Sequence, residues 1–220
     1  MATVVIVAPI SDRPTSVSGA AGRQLHEIIQ ERFPEHKSVF IPDDEAIHEY
    51  ACILQKYAVC DSVLFEYYGH GKPDMCCGLI PYHCGAGKGG MVDGENVAVL
   101  KNIVCHATAC WTAAELGRLA EGIGVKAYVG SRAPCNVAYK FNERNYESDV
   151  IDVWNSFPIT MLQGGTVAEG IRAMDEKSRE YEALYAKMVD VWDYADYYST
   201  RFKKNISILV PFGDLTATVI

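Results

Sequence analysis

Two kinds of segment alternate along the chain. Short, nearly continuous apolar runs occur at 3–9 (TVVIVAP), 38–42 (SVFIP), 62–68 (SVLFEYY), 102–109 (NIVCHATA), 125–131 (VKAYVGS) and 206–212 (ISILVPF). Runs of this length, rich in Val and Ile and bounded by turn residues, predict strands buried on both faces, as in parallel sheets. Between them the apolar period lengthens. Leu25, Ile28, Ile29 and Phe33 recur at helical spacing and stop at Pro34. Ile47, Tyr50, Ala51 and Leu54 share one face of a second helix, opened by Asp43 and Asp44. Thr112 and Glu115 have capping-box spacing ahead of Leu116, Leu119, Ala120 and Ile123. Thr166 and Glu169 open a long helix through Val167, Ile171, Met174, Tyr181, Leu184 and Met188. Residues 189–204, with Trp192, Tyr194, Tyr197 and Tyr198, read as its continuation. Segments 11–19, 71–93 and 132–157 carry no clear period and read as loops or irregular chain.

Strand and helix alternation of this kind predicts an α/β domain with a mostly parallel central sheet and helices on both faces. No linker, repeat or low-complexity tract divides the chain, so residues 1–220 read as one domain. Composition agrees: 49% of residues are hydrophobic and 22% charged, as in soluble globular proteins. The net charge of −8 argues against a general nucleic-acid or anionic-membrane binder. No run has the roughly 18–20 apolar residues of a membrane span, and MATVVIVAPI lacks the basic start of a signal peptide. A cytoplasmic location is therefore expected, with the eight cysteines mostly as thiols.

Chemistry is expected beyond the carboxyl ends of the strands, where open α/β sheets bind ligands. His70 follows the third strand and Cys110 ends the fourth. If consecutive strands pair, an imidazole and a thiol meet at one edge of the sheet. Either residue alone would mean little. Together they supply what a thiol nucleophile needs, a base and an environment that favours the thiolate. A helix starting at about residue 111 would add its N-terminal dipole. Gly71, having no side chain, can bring its N–H to a substrate carbonyl and hold an oxyanion jointly with the Cys110 N–H.

These motifs, YYGHGKPD and HATACWTAAELG, resemble those of the caspase-like cysteine peptidases. That superfamily includes caspases, metacaspases, clostripain, gingipains, legumain, separase and bacterial CHAT proteases. A His-Gly pair there follows the third core strand and the nucleophilic Cys ends the fourth. The resemblance implies a three-layer sandwich and a Cys110–His70 dyad. The substrate would be a protein or peptide, with a regulatory partner protein possible and no metal or organic cofactor required. The caspase pocket for aspartate is not reproduced. Val17 stands at the position of its Arg in the loop after the first strand, and Thr108 at that of its Gln. Ser131 and Arg132, after the fifth strand, lie where such enzymes build the pocket wall, as does Lys140.

Other patterns carry less. Cys76, Cys77, His83 and Cys84 suggest zinc, but their spacing matches no common finger. GAGKGG lacks the outer Gly and the Ser/Thr of a phosphate loop. Asn205-Ile206-Ser207 is a glycosylation triplet without secretory context. Glu66, in the middle of a strand, is either an edge-facing charge or a partner of the dyad. The favoured function is peptide-bond hydrolysis through a thioester. The alternative is a catalytically silent caspase-like module that binds partners through the aromatic 181–202 segment. A small-molecule hydrolase is a third class, weakened by the lack of a nucleophile elbow.

Overall fold

Strand β1 (Ala2–Val7) is wholly buried, with Val4 and Ile6 facing one layer and Val5 and Val7 the other. That double burial follows from its unbroken apolar run, since successive side chains point to opposite faces. The computed structural model describes residues 1–41, 46, 48–59, 62–78, 90–136, 146–192 and 194–220. Within them β1 sits between β2 (Lys37–Ile41) and β3 (Ser62–Tyr68). The sheet continues through β7 (Val104–Thr108), β8 (Ala127–Ser131) and β9 (Leu209–Gly213). All neighbours are parallel except the edge strand β9, which runs antiparallel to β8. The core clusters on its two faces hold the helices. One gathers α1 (Arg13–Arg32), α4 (Tyr146–Leu162), α5 (Val167–Ala186) and α6 (Ala195–Ser207). The other gathers α2 (Ile53–Ala58) and α3 (Leu116–Gly122). The protein is thus a three-layer α/β sandwich with a mostly parallel sheet. No helix among the described residues is long and apolar enough to cross a membrane.

Four departures from the pattern reading matter for the site. Residues 13–19 are helical, because α1 starts at Arg13 with Asp12 as N-cap and Pro14 in its first turn. The stretch read as irregular contains α4, whose buried Val150, Val153, Trp154, Phe157 and Met161 keep helical spacing around Pro158. The aromatic segment does not prolong α5. The chain turns after Ala186, and α6 folds back so that Tyr181 stacks on Phe202 and Trp192 on Tyr198.

The fourth concerns segment 71–93, which carries a small antiparallel sheet of β4 (Gly71–Lys72), β5 (Met75–Cys77) and β6 (Gly90–Asp93). The helix expected at Asp43 and Asp44 starts outside the described residues. Its described part is a 3₁₀ turn, His48–Cys52, leading into α2.

Candidate active site

The register places β3 and β7 side by side, with Tyr68 opposite Thr108, so both strands end at the same edge. His70 and Cys110 lie just beyond those ends and line one cavity of about 310 Å³. A side chain at Gly71 would place its Cβ 2.4 Å from the Cys110 carbonyl oxygen and 2.6 Å from Thr112 Cγ2. Only glycine lets the two turns pack this closely. The Cys77 N–H donates to the His70 carbonyl at 2.9 Å while Gly71 pairs with Cys76. That makes Gly71–Cys76 a non-hydrogen-bonded pair, which leaves the Gly71 N–H out of the β4–β5 ladder. Among the described residues, the Cys110 N–H has no backbone acceptor. The Tyr67 hydroxyl holds the turn, 2.8 Å from the His70 carbonyl.

Asp12 completes the imidazole's surroundings. Its Oδ1 accepts from the Thr15 N–H at 3.0 Å and so caps α1, while its Oδ2 lies 2.8 Å from His70 Nε2. A carboxylate only accepts, so Nε2 carries the proton and Nδ1 of the neutral ring remains the basic nitrogen. Burial alone would raise the Asp12 pKa; hydrogen bonds from Thr15 and His70, with the His70 charge, bring it below the usual value. Both side chains are part exposed, 34% for His70 and 40% for Asp12.

Cys110 is half-buried, and its pKa is lowered to about 6. The largest cause is hydrogen bonding with the Cys135 thiol, against the opposing effect of burial. The Cys135 backbone N–H, 3.2 Å from Cys110 Sγ, and the His70 charge lower it further. A helix dipole plays no such part. Helix α3 begins only at Leu116, and the Thr112–Glu115 capping box does not form. Thr112 Oγ1 instead donates to the Ala109 carbonyl, and the Glu115 and Leu116 N–H groups both donate to the Pro73 carbonyl. Between them, Trp111 takes a left-handed φ of 65°. Its N–H donates to the Ala133 carbonyl and that of Ala113 to the Ser131 carbonyl. These two bonds draw the chain after β8 against Cys110. Among the described residues, no hydrogen bond joins His70 directly to Cys110.

The expected pocket residues fare differently. Thr108 lines the cavity. Ser131 is buried beneath it, its Oγ 3.0 Å from Cys135 Sγ. Val17 does not line the cavity. Because α1 begins at Arg13, helical phase turns Pro14, Thr15 and Ser18 toward the cavity and Val17 into the core. Arg132 is also outside it; its guanidinium is exposed and donates to the Ser207 carbonyl. Lys140 lies outside the described residues. Asp12, Cys135, Asn136 and Trp154 are the residues that the motif reading missed. Asp12 carried a signal, since Asp-Arg-Pro-Thr is an N-cap followed by a first-turn Pro.

Glu66 is neither at an edge nor at the dyad. It pairs with His106, its neighbour in register on β7, with Oε2 2.8 Å from Nδ1 and both side chains fully buried. Burial raises its pKa, and His106 opposes this. Its Oε1 has no hydrogen-bond partner among the described residues. Cys76 and Cys77 are buried in β5, and burial pushes the Cys76 thiol up to about 12. His83 and Cys84, the other candidate zinc ligands, lie outside the described residues.

Compared with known proteins, the chain matches no family model, and no curated protein matches it in sequence.

Proposed function

We propose that this chain is a cysteine endopeptidase related to the caspase-like superfamily. The observation that carries the reading is the shared cavity: a thiol with a lowered pKa and an imidazole, with a carboxylate on the far nitrogen of that imidazole, converge on space open to a ligand. In this mechanism the Cys110 thiolate attacks the scissile carbonyl carbon. The Gly71 and Cys110 N–H groups hold the oxyanion. His70, oriented by Asp12, has taken the Cys110 thiol proton on Nδ1; it gives that proton to the departing amine as the carbon–nitrogen bond breaks, leaving a thioester on Cys110. It then takes a proton from the water that cleaves the thioester.

A diverse peptide library, incubated with the intact chain and with Cys110→Ala, tests the reading. Cleavage by the intact chain, lost in Cys110→Ala and in His70→Ala, is expected, because removing either member of such a unit costs nearly the whole effect. Cleavage that persists in Cys110→Ala overturns it. A folded chain that cleaves nothing, and whose aromatic α5–α6 hairpin captures a partner, supports the silent module instead.

A further inference from the structure

Cys135 forms and breaks no bond in the proposed hydrolysis, although it helps to lower the Cys110 pKa, and the chain delivers it to that thiol. It follows β8 by a few residues, and two backbone bonds from Trp111 and Ala113 pin its segment to the turn after Cys110. Its N–H reaches Cys110 Sγ at 3.2 Å, and its own sulfur lies 3.0 Å from Ser131 Oγ. Both residues line the cavity, and Cys110, the half-buried one that reacts first, is open to a small oxidant from it. Cys76 and Cys105, by contrast, are buried in the opposite layer.

We propose that Cys110 and Cys135 form a peroxide-responsive pair, Cys110 being the thiol that is oxidised and Cys135 the one that resolves it into an intramolecular disulfide. The Cys110 thiolate attacks one oxygen of the peroxide. An S–O bond forms, the O–O bond breaks, and the departing hydroxide takes a proton to become water. The sulfur loses two electrons and becomes a sulfenic acid. The Cys135 thiolate then attacks that sulfur. An S–S bond forms, the S–O bond breaks, and the second hydroxide leaves as water after protonation.

The order of events follows from the electrostatics. While Cys110 is a thiolate, it holds the Cys135 proton and keeps that pKa well above the ordinary thiol value. Oxidation to the neutral sulfenic acid removes both the hydrogen-bond acceptor and the charge. Cys135 therefore becomes easier to ionise only after Cys110 has reacted, with His70 at hand in the same cavity to take the proton. The disulfide would occupy the nucleophile and a cavity wall together, and a reducing thiol would restore both. That consequence rests on the peptidase reading; the disulfide chemistry does not.

The full chain, treated at neutral pH with a small excess of hydrogen peroxide and then with a thiol-blocking reagent, is digested and mapped by mass spectrometry. A linked Cys110–Cys135 peptide, with two blocked thiols lost and both recovered on adding dithiothreitol, is expected. Cys135→Ser should instead give a Cys110 sulfenic acid that dimedone traps. Without dimedone it should pass to sulfinic acid, which dithiothreitol does not reverse. Sulfinic acid at Cys110 of the unaltered chain, pairing of Cys110 with another cysteine, or oxidation of exposed Cys52 with the pair untouched would overturn the proposal. Mapping the unaltered chain needs no variant to fold. If cleavage activity exists, it should fall at least ten-fold with peroxide and return with dithiothreitol. A linked peptide in a chain that never cleaves would sink the peptidase reading alone. Cleavage without a linked peptide would sink this one alone.

Discussion

One carboxylate in this protein serves two neighbours. Asp12 caps α1 through Oδ1 and meets His70 through Oδ2, so a substitution that separates these duties is informative. Asn caps helices about as well as Asp but carries no charge to stabilise an imidazolium. Asp12→Asn should leave thermal stability almost unchanged and lower kcat about ten-fold, an effect of ~1.4 kcal/mol that allows for the part exposure of the pair. Asp12→Ala should lose the activity and also about 1 kcal/mol of stability with the cap. Steady-state cleavage and thermal melts on both variants check this, and a kcat unchanged in both would remove Asp12 from the mechanism. The thiol gives a second residue-scale expectation. With its pKa lowered to about 6, Cys110 should react with iodoacetamide at a rate that climbs through pH 6 and is level by pH 8. An ordinary thiol is still climbing there. Cys135→Ala removes the largest lowering cause and should move the midpoint upward, though not fully, since His70 remains. A midpoint unmoved in Cys135→Ala would mean that the neighbouring thiol has no influence. Peptide mapping of the alkylated residue makes both profiles specific to Cys110. That His70 and Cys110 would meet at one sheet edge was legible, because strand ends carry a rule about where ligands bind. Cys135 was not legible, because its nearness depends on a left-handed turn at Trp111 that no local pattern announces.

Elements were legible where one signal dominated. The continuous apolar runs of β1, β3, β7 and β8 read as buried strands, but their order is not written in them: β1, not β2, lies beside β3. Helix α4 was hidden by its own breakers. Asn155, Ser156 and Pro158 interrupt its apolar period, and Pro158 leaves the Trp154 carbonyl without its helical donor. Burial of Trp154 and Phe157 against the sheet outweighs that loss. Helix α3 failed in the opposite sense, with a good capping box in sequence but a competing partner in space. The β4–β5 turn offers the Pro73 carbonyl to the Glu115 and Leu116 N–H groups, so the chain from Cys110 to Glu115 stays a turn. The seam between this hairpin and the nucleophile turn is testable at Gly71. In Gly71→Ala the new Cβ meets the Cys110 carbonyl oxygen and the methyl of buried Thr112, so one turn must move away from the other. A stability loss of about 1–3 kcal/mol and a fall of at least a hundred-fold in cleavage, from a displaced oxyanion donor, are expected. Denaturant melts and kinetics at saturating substrate separate the two. Full activity in a folded Gly71→Ala protein would show that the seam tolerates displacement and that the Gly71 N–H holds nothing.

At the scale of the whole molecule, charge and cavity lining together would set the choice of substrate of the proposed peptidase. The chain carries a net charge of −8, and the cavity wall is supplied by hydroxyls of Thr15, Ser18 and Thr108, the Asn136 amide and the Trp154 indole. Apart from His70, no described lining residue can bring a positive charge. Arg132 is turned toward Ser207, and Arg201 is engaged by the Asn136 side chain and the Tyr197 ring. Below Thr108, His106 is already committed to Glu66 and is not free to meet a substrate carboxylate. An aspartate at the position preceding the cleaved bond would enter a cavity whose described lining offers it no cation besides His70. Burying an unpaired charge costs several kcal/mol. Uncharged residues, above all those whose side chains can exchange hydrogen bonds with hydroxyl and amide walls, meet no such penalty. The peptide library should therefore rank neutral residues first at that position and place aspartate at least ten-fold lower in kcat/KM. Aspartate ranked above every other residue would mean that a cation enters the cavity from the chain between Asn136 and Tyr146, and Lys140→Ala and Arg144→Ala would then identify it.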